Sequence, residues 1–480
     1  MKDFKQKYYE QFLIFLCALF FSLIAYGFSL SNHTISIDVD VMDNYMHTID
    51  LGRWGHAILK RFVFHEPWVP FFSLAFAILC MSFSAVVITK YLKLNIINSL
   101  VFSSLFVTFP QMAYQLQFSN QAETVGLALL FCSASLLIYS SGGIKNYAYF
   151  ILINIFVISV YQSFVFLPVT LVTLLHLKMV SDGKNTINEW VKDSVTISIL
   201  TTISVCFYFL ISKQFKSYYH INDVSYFSNL IAWGKIGFFD AAIGVFKFII
   251  YQCYLVTWYG FNLYFLTAIA VAIILIKSVK FGIKYFITTA IISFSVIISP
   301  FILNILIGSG TPARTLSQMP LVFAATMSIG MQCFKKEEAK LFFALLISLS
   351  GCSYVNILFY SDYISENQTK IISESIIYDM NHSYPETTKS QTPVFFYGKL
   401  PLKNPWKPNG ADEFGISFYE RGYSDRVGNY IKNTGMADIL QVSPTDINEN
   451  QKKQLVSMPV YPDKGYIKKV DDKVLVKLSE

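Results

Sequence analysis

Charge is what this sequence has least of. Only 14% of its 480 residues are Asp, Glu, Lys or Arg, against roughly 25% in soluble domains. A soluble chain of this length would form roughly two or three domains. None of them could hide an apolar content of 54% at a mean hydropathy of +0.46. Paired cysteines are missing as well. Cys17, Cys80, Cys132, Cys206, Cys253, Cys333 and Cys352 each lie in an apolar stretch and form no CxxC. They read as small buried hydrophobes, which excludes a zinc ribbon or a disulfide framework. His33, His47, His56 and His65 fall in one stretch, yet no HxxxH or HExxH spacing occurs, so a metal hydrolase has no support. No internal repeat or low-complexity tract is visible. The formal charge of +7 comes from bases in short loops between apolar runs, where they act as topology signals. Nucleic-acid binding is not expected.

What the chain does have is apolar runs, and they predict a mainly α, polytopic membrane helix bundle. Residues 11–30 are long enough to span ~30 Å of hydrocarbon. No small-x-small cleavage site follows them. Lys2, Lys5 and Lys7 precede the run, which places the N-terminus in the cytoplasm. The later segments are 68–89, 95–112, 122–140, a run 147–177 split near Tyr161-Gln162-Ser163, then 194–212, 261–276, 285–307, 317–333 and 341–360. That makes about 11 spans, with the lysine-bearing short loops all on one side. The aromatic stretch 213–260 reads as interfacial or re-entrant. Two domains are expected: a membrane domain, 1–360, with an outer loop at 31–66, and a small α/β domain, 361–480, outside. In the latter, Ser365 to Met380 reads as a helix, Pro393–Tyr397 as a buried strand, and Gly465–Val470 with Lys473–Lys477 as a hairpin.

The first outer stretch carries the clearest chemistry. Asp38, Asp40 and Asp43 follow the first span directly. In an extended segment Asp38 and Asp40 point the same way. Close carboxylates can act as a general base or hold a divalent ion; the alternative is an acidic, solvated loop. Beyond them Leu51, Trp54, Ile58 and Phe62 follow helical spacing. The helix is expected to lie flat at the interface, with Arg53, His56 and Lys60 as its polar stripe, presenting Arg53 and His56 to a phosphate or serving only as an anchor. Glu123, Tyr161 and Gln162 sit at outer ends of spans. Arg314 stands alone between Arg61 and Arg421 on a Gly/Pro loop, which points to planar recognition of phosphate or carboxylate.

These residues carry a resemblance. An acidic cluster just after the first span resembles the GT-C class of membrane glycosyltransferases. Within it the chain most resembles the Gtr family of serotype-converting O-antigen glucosyltransferases. The resemblance rests on Asp38/Asp40/Asp43, Gly52-Arg53-Trp54, Tyr161-Gln162, Arg314 and an outer domain after Tyr360-Ser361-Asp362-Tyr363. It implies a GT-C-like enzyme of the bacterial inner membrane, with its C-terminal domain periplasmic. The implied donor is undecaprenyl-phosphate-linked glucose, and the acceptor a repeat-unit sugar of O-antigen, part of lipopolysaccharide, or a similar surface polysaccharide. It further implies Asp38, Asp40 or Asp43 as base, and Arg53, Trp54, His56, Glu123, Tyr161, Gln162 and Arg314 toward the donor phosphate and substrate. No cofactor is implied and a metal is not required. Membrane lipids, a flippase and a carrier-charging glucosyltransferase are the implied partners. A transporter or flippase for lipid-linked sugars would carry ionisable residues at the midplane, whereas polar groups here gather at outer ends. An O-antigen polymerase or ligase is the enzyme alternative.

Overall fold

A backbone carried into hydrocarbon must pair its own amides, so long apolar runs become helices. The computed structural model describes residues 2–184, 187–221, 230–253, 259, 262–387 and 391–480. Among the described residues, seven helices are long and apolar enough to cross a membrane: Tyr8–Ser31, Pro70–Tyr91, Ala122–Ser140, Gln162–Ser181, Ile187–Tyr218, Ile283–Ile307 and Glu337–Ser383. Ile96–Thr108, Ile144–Val160, Phe265–Val279 and Met319–Cys333 are shorter apolar helices. Every expected segment falls on one of these elements. The segment at 95–112 is cut short by Pro110, which holds Phe109 extended (ψ 127°). The 13 helical residues left rise only ~20 Å. The run 147–177 does divide where expected, at a 3-10 turn over Gln162–Phe166. In the 213–260 stretch, helix Phe238–Cys253 buries Ala241, Val245, Phe248 and Gln252 on one face; residues 222–229, 254–258 and 260 of that stretch lie outside the described residues.

Two compact units result: Met1–Leu30 with Asn44–Asn356, and Ser31–Asp43 with Ile357–Glu480. The stretch 31–66 is thus divided between them. The last helix runs unbroken from Glu337 to Ser383 over 47 residues, so the expected break between a span ending at 360 and a separate helix at 365–380 does not exist. Ser361 and Asp362 are buried and do not interrupt the helical ladder.

In the first unit, close helix packing depends on small residues. A Cβ on Gly126 would lie 2.8 Å from the Ala77 backbone, so helices Pro70–Tyr91 and Ala122–Ser140 touch there directly. Cys80, Cys132 and Cys352 are buried as expected, but Cys206 and Cys333 are exposed. An apolar sequence context does not distinguish a helix face turned to the core from one turned to lipid. The side chain of Cys253 lies outside the described residues.

The second unit is a four-stranded sheet in the order β2-β1-β4-β3. Strands β1 (Pro393–Tyr397), β2 (Leu440–Gln441), β3 (Ile467–Val470) and β4 (Lys473–Lys477) are joined in parallel except for the β3–β4 hairpin. Ile372, Ile376 and Met380, one helical face, pack with Val394, Phe396, Tyr419, Tyr430 and Val476 in its core.

Candidate functional site

In the first unit the polar side chains of distant segments converge on Arg53. The turn before it needs Gly52, whose φ is +75°. A Cβ there would stand 2.5 Å from the Tyr208 hydroxyl, which donates to the Gly52 carbonyl at 3.1 Å. Arg53 Nε donates to Gln162 Oε1 at 3.2 Å and Nη1 to Gln121 Oε1 at 3.0 Å. Gln162 is itself fixed, its amide donating to the Leu51 carbonyl at 2.8 Å and to the Tyr208 hydroxyl at 3.2 Å. The Arg53 guanidinium lies 5.4 Å from the Tyr161 ring centroid. The hydroxyl of that same Tyr161 donates to the Arg314 carbonyl at 3.0 Å, and the Gln111 amide does so at 3.1 Å. Arg314 lays its guanidinium 4.8 Å over Phe118. One tyrosine therefore ties together two arginines more than 250 positions apart in the chain.

In the stretch after Arg53 the polar stripe turns inward, into the protein. Helix Trp54–Leu59 passes into a π-turn, Lys60–Phe64. His56 is buried with Nδ1 2.8 Å from Thr124 Oγ1. Burial first, then the Lys60 and Arg53 cations, hold its pKa well below the usual imidazole range. The ring is neutral at pH 7. Lys60 and Glu123 form an ion pair with side chains only 2% and 1% exposed. Phe62, by contrast, is 71% exposed. The polar ends Glu123 and Thr124 give the stripe partners inside, and lipid accepts the apolar side. Trp54 stacks on Phe215, centroids 5.4 Å apart. Glu123 Oε2, Trp54 Nε1, Gln111 Oε1 and both polar atoms of the Gln115 amide are buried without a hydrogen-bond partner. Such capacity is rarely left unused in a protein; it suits a polar ligand.

The acids belong to the second unit. The segment is not extended: Asp38 is left-handed, φ +67°, and Val39 N donates to the Ser36 carbonyl at 3.1 Å. Arg426, on helix Ser424–Asn433, bridges both acids, Nη1 to Asp40 Oδ1 at 2.6 Å and Nη2 to Asp38 Oδ1 at 2.8 Å. Asn429 donates to Asp40 Oδ2 at 3.0 Å and Asn433 donates to the Asp40 carbonyl. Arg426, Asn429 and Asn433 share one helical face. Asp40 is fully buried and committed to these partners, whereas the Asp38 side chain is 47% exposed. Asp43 is exposed at the segment's end. Upstream, Ile35 N donates to Glu366 Oε2 at 3.0 Å. Burial pushes the Glu366 carboxyl up to about 7, against that amide and the Lys370 cation.

Within the first unit, then, Arg53, His56, Glu123, Tyr161, Gln162 and Arg314 are linked directly or through shared neighbours, with Trp54 alongside. Asp38 and Asp40 meet in the second unit, on residues that the sequence did not single out. Arg426, Asn429 and Asn433 had one signal, an i, i+3, i+7 polar stripe. Gln121, Thr124 and Tyr208 had none. No group of three His, Cys, Asp or Glu side chains placed to hold a metal occurs among the described residues.

Half-buried arginines held by amides and aromatic rings at the ends of long apolar helices are the features of a helical protein compatible with several membrane crossings and carrying one polar cluster. The family model for glucosyl transferase GtrII matches residues 27–332. That is more than half of the chain, and it includes every candidate residue from Asp38 to Arg314. The chain belongs to the GtrII glucosyl transferase family. Among curated proteins no relative matches it.

Proposed function

We propose that this glucosyltransferase moves a glucosyl group from undecaprenyl phosphate to a repeat-unit hydroxyl of O-antigen or a similar surface polysaccharide, on the periplasmic side of a bacterial inner membrane. The acceptor oxygen attacks the anomeric carbon as the carbon–oxygen bond to phosphate breaks. The hydroxyl proton passes to an aspartate, and undecaprenyl phosphate leaves with the bond's electron pair. A single displacement inverts the anomeric centre. Asp38 is the carboxylate best suited to take the proton, because it is half exposed while Asp40 is enclosed by Arg426 and Asn429. Arg53 and Arg314 compensate the charge that develops on the leaving phosphate. Neutral His56 stands as a hydrogen-bonding group rather than a cation.

The observation that carries this reading is the family match together with the tyrosine-linked arginine pair inside the matched region. The test is linkage analysis of surface polysaccharide from cells with and without the chain, and transfer in membranes supplied with polyprenyl-phosphate glucose. A new hexose branch, made only with that donor, is expected. Polysaccharide left unmodified at normal membrane levels of the protein would refute it.

A further inference from the structure

The second unit holds an open groove of about 690 Å³ outside the region matched by the family, lined by Lys399, Asn404, Lys407, Asn409 and Glu420 among others. Its volume is in the ~300–1,000 Å³ range of ligand sites. The loop that forms it is stiff. Pro401, Pro405 and Pro408 restrict the backbone. Leu400 N donates to the Tyr419 carbonyl at 2.9 Å, and the Asn404 amide donates to the Ser361 carbonyl at 2.8 Å while Asn404 Oδ1 accepts from Trp406 N at 3.1 Å. A preformed groove loses little entropy on binding.

Its chemistry is mixed. Two ammonium groups and the Asn409 amide can donate; Glu420 and the Asn409 carbonyl can accept. Glu420 and Lys407 sit 3.8 Å apart, with side chains 19% and 33% exposed. Glu420 offsets part of the lysine charge, so the lining offers acceptors as well as donors. Vicinal hydroxyls, each both donor and acceptor, match such a lining. Between the lining residues Asn404 and Lys407 stands Trp406, half exposed and edge-on to Tyr360 at 5.0 Å. Trp406 is not itself in the lining, but half of its indole stays exposed next to it in the chain, an apolar face of the kind that stacks on the C–H face of a pyranose. We infer that this groove binds a short, hydroxyl-rich stretch of the acceptor polysaccharide, so that acceptor choice is made in the second unit. The inference rests on the transferase reading above.

The test uses full-length protein in lipid nanodiscs. The probe is polysaccharide released by mild acid from host cells lacking this chain. Wild-type protein should bind it by calorimetry. Trp406→Ala and Asn409→Ala, both at exposed positions, should each weaken binding and raise the acceptor KM about tenfold (~1.4 kcal/mol), with the donor KM unchanged. Trp406→Phe should restore most of the loss. No binding by wild type, or unchanged binding and acceptor KM in both alanine variants, overturns the inference. So does binding only to phosphatidylglycerol vesicles, which would make the groove a headgroup site. Transfer with an unaltered acceptor KM sinks the groove alone. Binding that the variants abolish, in a protein that transfers nothing, sinks the transferase reading and leaves the groove standing.

Discussion

Asp38 and Asp40 are two residues apart and share one arginine, yet their loss should have opposite consequences. Asp40 is 0% exposed and Arg426 25%. Removing one partner of a buried pair costs ~3–5 kcal/mol, because the other charge is left uncompensated. Arg426 keeps some solvent, so about 3 kcal/mol, the low end, applies to Asp40→Asn. The Asp38 pair is half exposed and is worth ~1 kcal/mol or less. Loss of a general base, in contrast, slows a reaction ~10²–10⁴-fold. Hydrogen exchange on residues 31–43 of full-length protein reads the first effect, and membrane transfer assays read the second. Asp40→Asn should speed exchange of that segment roughly 10²-fold, and Arg426→Gln should do the same. Asp38→Asn should leave exchange within a few-fold of wild type and lower transfer by ~10² or more. If Asp40→Asn kept full protection while abolishing transfer, and Asp38→Asn transferred normally, the assignment of scaffold and base would be reversed.

Tyr161→Phe removes the hydroxyl held by the Arg314 carbonyl and keeps the ring beneath Arg53. One such bond is worth ~1 kcal/mol, so the donor KM should rise about fivefold, and Arg314→Lys should raise it further; equal donor dependence in both variants and wild type would remove the pair from phosphate binding. Glu366 holds its proton in the folded protein up to about pH 7 and releases it near 4.5 when unfolded. Stability of the second unit from this group is therefore present at the acid end and falls as pH rises from about 4.5 through 7. Glu366→Gln, which still accepts from Ile35, should flatten that part of the unfolding profile, and an unchanged slope would show that burial does not govern this carboxyl. Sidedness can be read with an impermeant thiol reagent on intact cells. Because Cys206 and Cys333 are exposed, both become serine first. His33→Cys and Lys453→Cys, at exposed positions, should label and Lys184→Cys should not. Labelling at Lys184 alone would put the acids in the cytoplasm and end the proposed mechanism.

Features that depend on near neighbours were legible in the sequence. Each apolar segment became a helix, the run 147–177 broke at Tyr161-Gln162-Ser163, and Asp471-Asp472 closed a hairpin, although its second strand is buried along its length and does not alternate. Hydropathy and periodicity act over a few residues, and a membrane enforces them by leaving backbone amides no other partner. Tertiary structure alone decided which face of a helix turned inward. His56 and Lys60 read as the polar stripe of an interfacial helix, and the fold gave them buried partners in Thr124 and Glu123. It also decided that the acids after the first span belong with the last quarter of the chain. Asp40 meets Arg426 across 386 positions. No local pattern encodes that pairing, because its energy comes from desolvation and charge compensation that exist only once both segments have folded together.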